Sequence, residues 1–201
     1  MPATVYVKEW NGAGRDETTV SVGAPARFCS ADENAPGNDY PIVIPAAGFN
    51  YSYWKHFGLD LSGSFVKINN VRIYCDGDID WDLGTGGMVM VGLKDDGETT
   101  DEGHGCPTAS YQQSAGTPGE TGIYLKAGTG GHVFYKSETV APADFQDYDS
   151  AVAALLVDST DHEAAEDTKA VVLQVKVDTV ANGAVQGLKD DETFTFLYDE
   201  T

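Results

Sequence analysis

Cysteine is scarce in this chain, which has three cysteines among its 201 residues. Cys29, Cys75 and Cys106 are an odd number, lie far apart and include no CxxC pair. This usage disfavours a disulfide framework and favours synthesis in the cytosol. His104 and Cys106 could bind zinc together, but structural zinc needs about four ligands. No second pair exists at ligand spacing, since the other histidines are isolated in the sequence: His56, His132 and His162.

Basic residues are also few, with 12 Lys and Arg against 32 Asp and Glu and a formal net charge of −20. A surface this negative repels phosphate backbones, so we expect no binding to DNA or RNA. Long apolar runs are missing too, since none approaches the roughly 18 residues of a membrane span. The first residues lack a basic segment followed by an apolar run, so the sequence shows no signal peptide. We therefore expect a soluble protein that is made in the cytoplasm and has no membrane partner.

The familiar motifs of catalysis and cofactor binding are missing. There is no GxSxG motif for a nucleophilic serine. The glycine groups at 84–87 and 128–131 match neither the dinucleotide nor the phosphate fingerprint. Carboxylates are so plentiful that no pair stands out as the pair of a glycosidase. The sequence therefore predicts no catalytic residues, no enzymatic activity and no organic cofactor.

Short runs of alternating apolar residues, joined by Gly, Pro and Asp, make up most of the chain. About ten such runs predict β-strands, a pattern typical of a β-sandwich or jelly roll. In the last run Phe194, Phe196 and Tyr198 share one face, so we expect this strand to pair inside a sheet. Proline on both sides of 42–44 confines that run to an edge or a bulge. The strand-like runs are residues 4–10, 18–22, 42–44, 53–61, 65–75, 88–93, 122–126, 132–135, 170–177 and 193–198.

Helix is nearly absent from the pattern, with residues 150–157 (SAVAALLV) as the single candidate. Residues 95–119 and 138–169 are rich in Asp, Glu, Gly and Pro and are predicted to be long acidic loops. No linker or tandem repeat divides the chain. The sequence therefore predicts an all-β, single-domain fold over residues 1–201. We expect a β-sandwich of jelly-roll or immunoglobulin-like type with at most one short helix.

Four carboxylates stand at alternate positions in the segment DGDIDWD, residues 76–82. If the segment is extended, they share one face and offer the oxygen ligands that Ca²⁺ prefers. An EF-hand is disfavoured, because Gly87 stands where that loop needs a bidentate Glu. The other hypothesis is an acidic hairpin tip with its turn at Asp76-Gly77. The candidate calcium ligands are Asp76, Asp78, Asp80 and Asp82.

Aromatic residues cluster at Tyr51, Tyr53 and Trp54. Such a stripe could stack on sugars, as in a carbohydrate-binding module. At alternating spacing the simpler interpretation is that these side chains belong to the core and to one interfacial face. We treat the three residues as interface candidates.

Three segments, taken in order, carry a family resemblance. They are residues 40–55 (YPIVIPAAGFNYSYWK), 67–77 (KINNVRIYCDG), and 170–175 (AVVLQV) continuing through 182–183 to 194–200 (FTFLYDE). Together they resemble a group of small virion structural proteins of tailed bacteriophages, of the capsid-decoration or minor-structural kind. The resemblance covers most of the chain. Cys75 stands where that group usually has Thr or Ser.

The resemblance implies a function without catalysis. It implies an outer capsid decoration, or cement, protein that binds the major capsid protein and stabilises the head. Such a protein is synthesised in the host cytoplasm and ends on the outer surface of the virion. By the same resemblance we expect a homo-oligomer, with a trimer at three-fold positions as the arrangement. The alternative is a tail-associated or secreted carbohydrate-binding module that uses Tyr51, Tyr53 and Trp54.

Overall fold

The structure is a computed structural model that describes residues 3–11, 16–21, 23–31, 33, 37–53, 55–93 and 143–201. These residues form antiparallel strands and two short 3₁₀ turns, so the predicted all-β fold is confirmed. The 3₁₀ turns are Phe145–Asp147 and Val180–Asn182. The strands are β1 (Ala3–Asn11), β2 (Asp16–Thr19), β3 (Asn50–Tyr51), β4 (Lys55–Gly63), β5 (Ile68–Tyr74), β6 (Met88–Leu93), β7 (Ala143–Asp144), β8 (Leu155–Asp158), β9 (Glu166–Asp167), β10 (Val171–Val177) and β11 (Thr195–Glu200).

The strands form two sheets. The larger has eight strands in the order β2-β1-β4-β10-β6-β7, with β3 also beside β10 and β9 also beside β4. The smaller has three strands in the order β11-β5-β8. Because β4 and β6 lie in the larger sheet and β5 lies in the smaller, the chain passes between sheets before and after β5. The jelly-roll or immunoglobulin-like strand order stays a prediction.

One hydrophobic core joins the two sheets. Alternate residues of β4 and β10 point into it from the larger sheet, as the two-residue period of a strand predicts. Residues of β5 point into it from the smaller sheet. Because burial of each such side chain contributes about 1.5–3 kcal/mol, this core is the main force that holds the sheets together. Its buried members from these strands are Phe57, Leu59, Leu61, Ile68, Val71, Ile73, Val171, Leu173, Val175 and Val177.

Strand β10 is buried on both faces, which explains its almost continuous apolar sequence. On the face opposite the main core, Val172 and Met90 form a second small cluster, against which Tyr51 packs. The polar exception in β10 is Gln174, which is buried and whose Nε2 donates to the carbonyl of Ser52 at 2.8 Å. Leaving this buried amide without a partner would cost about 1–3 kcal/mol. The hydrogen bond to Ser52 avoids that cost.

The predicted helix at 150–157 is wrong. Residues 151–153 form a turn, and Leu155–Asp158 is strand β8, which pairs with β5 in the smaller sheet. The alanines of this segment favour a helix locally, but an isolated helix needs about 12–15 residues to be stable in water. Pairing with β5 buries Val157 and satisfies the backbone hydrogen bonds. Tertiary pairing therefore overrides local propensity here.

The predicted long loop at 138–169 is wrong over its described part, residues 143–169. This part contains β7, β8, β9 and a 3₁₀ turn, and it adds strands to both sheets. The prediction assumed that the acidic residues here are solvated loop residues. Asp144 instead caps the 3₁₀ turn, because its side chain accepts a hydrogen bond from a backbone N–H of that turn. Phe145 is fully buried and meets the ring of Phe194 edge-on, with 4.9 Å between the ring centroids.

Most of the other strand predictions are confirmed in position, with ends that differ by a few residues. Residues 42–44 are the exception, since they pair with no described strand. Proline on each side lacks the N–H that a ladder needs. The predicted loop at 95–119 and the runs 122–126 and 132–135 lie outside the described residues. The run 18–22 overlaps β2 only at residues 18 and 19, and residue 22 lies outside the described residues. The confirmed runs are 4–10 (β1), 53–61 (β4), 65–75 (β5), 88–93 (β6), 170–177 (β10) and 193–198 (β11).

The last strand, β11, pairs in the smaller sheet as the sequence predicts, but it lies at the edge of that sheet, with β5 as its partner among the described strands. It lies antiparallel to β5, with Phe196 opposite Ile73. Phe194 and Tyr198 also pack, half-buried, against the main core. The backbone N–H of Thr201 donates to the carbonyl of residue 67 at 3.0 Å and so extends the pairing past the strand.

We predict that Phe145→Ala destabilises the protein strongly, because it removes a fully buried ring. Truncation of a buried Phe costs about 3–5 kcal/mol, a large share of a total stability of about 5–15 kcal/mol. Val152→Ala is the matched control in the same segment, since Val152 is 99% exposed, and should change stability by less than about 0.5 kcal/mol. Urea unfolding followed by intrinsic fluorescence measures both. Equal stability of the two variants would contradict the burial of residues 143–169 in the fold.

Candidate functional site

Three ionisable side chains meet where the chain passes from the smaller sheet to the larger. Asp158 ends β8, Glu166 begins β9, and His162 lies between them. The Nε2 atom of His162 is 3.0 Å from Oδ2 of Asp158, and its Nδ1 atom is 2.8 Å from Oε1 of Glu166. Asp158 and His162 are buried, with exposed fractions of 2% and 4%. These three residues are named the His162 cluster below.

The backbone around the His162 cluster is tied to both sheets. His162 exchanges two backbone hydrogen bonds with Ile68 of β5, both at 2.9 Å. Thr168, just after β9, donates its N–H to the carbonyl of Leu59 in β4 at 2.9 Å. The hydroxyl of Thr168 accepts the N–H of Leu59 at the same distance. The cluster therefore stands on a short segment held at one end by the smaller sheet and at the other by the larger.

The carboxylate of Asp158 accepts two further hydrogen bonds. Its Oδ2 accepts from the backbone N–H of Lys169, and its Oδ1 accepts from that of Thr160, each at 2.9 Å. Lys169 leads into β10, so this carboxylate links the two sheets directly. Burial alone would raise the pKa of Asp158. The hydrogen bonds from His162 and from the two N–H groups outweigh burial and hold the pKa of that carboxyl well below its ordinary value.

The geometry favours the charged form of His162. An ionised carboxylate only accepts hydrogen bonds, so both contacts are satisfied together when both ring nitrogens carry a proton. The hydrogen bond with Asp158 raises the pKa of His162 above its ordinary value of 6.5, burial opposes this shift, and Glu166 reinforces it. In its charged form the cluster is an imidazolium between two carboxylates, a charge-assisted arrangement.

This arrangement suits a structural link better than catalysis. A general base needs an unprotonated nitrogen within reach of its substrate, and both nitrogens of His162 are already bonded. Breaking a buried charge pair by removing one partner costs about 3–5 kcal/mol, because the other charge is left uncompensated. The His162 cluster therefore holds the two sheets together at the β8–β9 connection.

The sequence interpretation missed this site, because it treated His162 as isolated and the surrounding segment as an acidic loop. A signal was present, since Asp158, His162 and Glu166 follow one another at intervals of four residues. That spacing is typical of one face of a helix. Here it occurs on an irregular connection between strands, in which the side chain of Asp158 accepts from the N–H of Thr160.

A second buried ion pair joins β4 to β1. The Nζ atom of Lys55 is 2.5 Å from Oε1 of Glu9, and both side chains are fully buried. Nζ also donates to the backbone carbonyl of Glu33. A buried ammonium needs such acceptors to offset its lost hydration. This pair therefore belongs to the interior of the larger sheet.

The candidate calcium ligands lie on the segment that carries the chain from β5 to β6. These strands belong to different sheets, so the segment is not a hairpin tip and that hypothesis is wrong. The predicted turn is present, because Gly77 has a φ of 80° and the N–H of Asp78 donates to Oδ1 of Asp76 at 3.1 Å. A Cβ at Gly77 would lie 2.7 Å from the Cβ of Asp149, so this turn requires glycine.

All four candidate calcium ligands are exposed, but their surroundings differ. Asp82 forms an ion pair with Lys189, with 2.9 Å between Oδ2 and Nζ. Burial and the charges of the other three aspartates raise the pKa of Glu192. In the part of the chain that the structure describes, no group of three or more His, Cys, Asp or Glu side chains is placed to hold a metal. The calcium site stays a prediction of the sequence.

Two of the aromatic candidates are half-buried. Tyr51 on β3 packs against the second small cluster. Tyr53 is fixed by its backbone N–H, which donates to the carbonyl of Cys29 at 2.9 Å. Trp54 lies outside the described residues, so the aromatic interface stays a prediction. Also outside are the candidate zinc ligands, His104 and Cys106.

No protein-family model, no curated protein and no solved structure matches this chain. Among the residues that the structure describes, no helix has the length and apolar character needed to cross a membrane. Function is therefore inferred from the chemistry of the described residues and from the motif resemblance of the sequence.

We predict that the protein is most stable at mildly acidic pH. Folding raises the pKa of His162 above 6.5, so its contribution is complete below that value and is lost as the pH rises through the folded-state pKa. Folding lowers the pKa of Asp158 from 3.8, so its contribution is complete above that value and is lost as the pH falls. The free energy of unfolding should therefore be highest between about pH 4 and 6.5.

Urea unfolding at a series of pH values measures this dependence. His162→Asn should be less stable and should lose the decline above about pH 6.5. Asp161→Asn alters an exposed neighbour and should keep that decline. A parent protein whose stability is constant between about pH 5 and 9 would contradict the assigned charges.

The calcium hypothesis predicts that excess Ca²⁺ raises the Tm, because an ion that binds the folded state stabilises it. The double variant Asp78→Asn, Asp80→Asn should abolish the shift. Asp161→Asn, which removes an exposed carboxylate elsewhere, should retain it. Thermal melts in Ca²⁺ and in matched Mg²⁺ separate specific binding from general screening. An unchanged Tm of the parent protein in Ca²⁺ would refute the hypothesis.

Proposed function

We propose that this chain is a non-enzymatic structural protein of a tailed-phage virion, an outer capsid decoration protein that binds and stabilises the head. The observation that supports a structural function is the geometry of the His162 cluster. Residue types common in catalysis converge there, and their hydrogen bonds link two sheets and leave neither ring nitrogen free to accept a proton. The phage setting is supported by the resemblance of the three sequence segments described above.

The charge of the chain supports a position outside the head. At −20 per chain, copies inside the head would lie against packaged DNA, and like charges would repel. An outer position lets the acidic surface face solvent. The β7–β9 region contributes strongly to this surface through its exposed acids: Asp147, Asp149, Asp161 and Glu163.

The proposed partner is the major capsid protein. A capsid presents many identical sites, so weak contacts that symmetry repeats give firm attachment through avidity. A homo-oligomer strengthens this effect, and a trimer is the arrangement that the resemblance implies. Neighbouring acidic copies repel one another, so attachment should tighten with added salt until the Debye length falls to about 8–10 Å.

The alternative function is a carbohydrate-binding module, tail-associated or secreted, that uses Tyr51, Tyr53 and Trp54. Stacking on a sugar requires an accessible ring face. Tyr51 and Tyr53 are half-buried, which leaves less of each ring face for a sugar. Binding on a glycan array that Trp54→Ala abolishes would instead support the module.

We predict that cryo-electron microscopy of the source virion places this protein on the outer surface of the head. Antibodies against it should label intact particles, because the protein faces solvent. Purified protein should also co-sediment with heads, and more strongly as salt is added. Density at the tail tip, or labelling that appears only after heads are broken open, would refute the proposal.

A further inference from the structure

One end of the molecule carries almost no charge. Residues 40–53, 83–93 and 179–188 contain no Asp, Glu, Lys or Arg, although 22% of the residues of the chain are charged. Parts of these three segments meet where β10 ends and where β3 and β6 begin. The surface formed by residues 42–50, 83–87 and 179–188 is named the neutral end below.

Hydrogen bonds and a ring contact hold the neutral end together. The N–H of Thr85 donates to the carbonyl of Asn182 at 2.9 Å. The N–H of Val185 donates to the carbonyl of Asp82 at 3.1 Å. The ring of Phe49 lies against Gly86, where a Cβ would come within 2.8 Å of the ring. The three segments therefore form one surface.

One acidic residue, Asp178, lies beneath the neutral end and is not exposed on it. Asp178 is buried, and its carboxylate accepts from the N–H of Gly86 at 3.0 Å, the N–H of Thr179 at 2.7 Å and the side-chain amide of Asn182 at 2.9 Å. The hydrogen bonds from Asn182 and Thr179 lower the pKa of Asp178. The carboxylate of Asp178 therefore connects the loop at Gly86 with the loop at 179–182, and it is not exposed to a partner.

The charges at the margin of the neutral end are engaged in local contacts. Asp82 is paired with Lys189. The Nζ atom of Lys176 lies 3.9 Å from the centroid of the Phe49 ring, in a cation–π contact. Exposed acids resume just beyond this margin, at Asp190 and Asp191.

Apolar side chains are exposed across the neutral end. Large apolar side chains grouped on a surface mark interaction sites in soluble proteins. A backbone that is already fixed also lowers the entropy lost on association. The exposed apolar residues are Val43, Phe49, Val180, Val185 and Leu188, with exposed fractions from 38% to 77%.

We propose that the neutral end is the interface between copies of this chain. Two copies that each carry −20 repel one another wherever their acidic surfaces face each other. A basic partner would gain most by docking on the acidic surface. A face without charge instead fits a partner that is itself acidic, and a second copy is such a partner. This inference concerns association in solution and does not depend on attachment to a phage head.

Sedimentation equilibrium of the full chain tests the proposal. The parent protein should associate, and added salt should tighten the association because it screens the remaining repulsion. Leu188→Glu and Val180→Glu place a charge on the neutral end and should each raise the dissociation constant at least about tenfold. Val152→Glu places the same charge on a residue that is 99% exposed elsewhere and should leave it unchanged. Thermal melts should show that all the variants remain folded, since every substituted side chain is exposed.

A parent protein that sediments as a monomer at every salt concentration would overturn the proposal. Dissociation by Val152→Glu to the same extent as by Leu188→Glu would also overturn it, because the effect would then be general charge repulsion. Self-association that depends on Leu188 together with no binding to heads would refute the decoration function and support the neutral end.

Discussion

A buried histidine hydrogen-bonded between two carboxylates is the interaction that fixes where the two sheets join. Apolar burial drives the sheets together, but it is non-directional and does not specify which strand ends meet. The His162 cluster specifies which strand ends meet. Asp158 belongs to the smaller sheet, and its carboxylate accepts from the ring of His162 and from the backbone N–H of Lys169, which precedes β10 of the larger sheet. Its bonds form only when β8, β9 and β10 are correctly placed. The Lys55–Glu9 pair has a comparable effect within the larger sheet.

The sequence predicted those parts of the fold whose signal is local. Alternation identified most strands, the continuous apolar run at 170–177 matched a strand buried on both faces, and the shared face of β11 was correct. The helix at 150–157 failed because pairing with β5 is a long-range interaction that local propensity does not contain. The loop at 138–169 failed for a related reason, since buried and exposed aspartates look alike in sequence. Likewise, a turn at Asp76-Gly77 is compatible with a hairpin and with a crossing between sheets. The turn therefore did not predict which sheet the next strand joins.

The distribution of charge connects the fold with the proposed function. Exposed acids cover much of the described surface, whereas Asp158 and Asp178 are buried and consumed in internal hydrogen bonds. The neutral end interrupts the acidic surface where three uncharged segments meet. A strongly acidic exterior suits a protein that faces solvent on a particle, and an uncharged, rigid end suits contact between like-charged copies. A virion component made of repeated copies needs both properties.

The protonation state of His162 at neutral pH decides whether the His162 cluster is a structural link. Nitrogen NMR of histidine-labelled protein, with the His162 signals assigned by their loss in His162→Asn, reports whether each ring nitrogen carries a proton. We expect Nδ1 and Nε2 both to be protonated, because each lies within hydrogen-bond distance of a carboxylate. A neutral ring with one unprotonated nitrogen would contradict the structural role of the cluster and reopen the case for catalysis at this site.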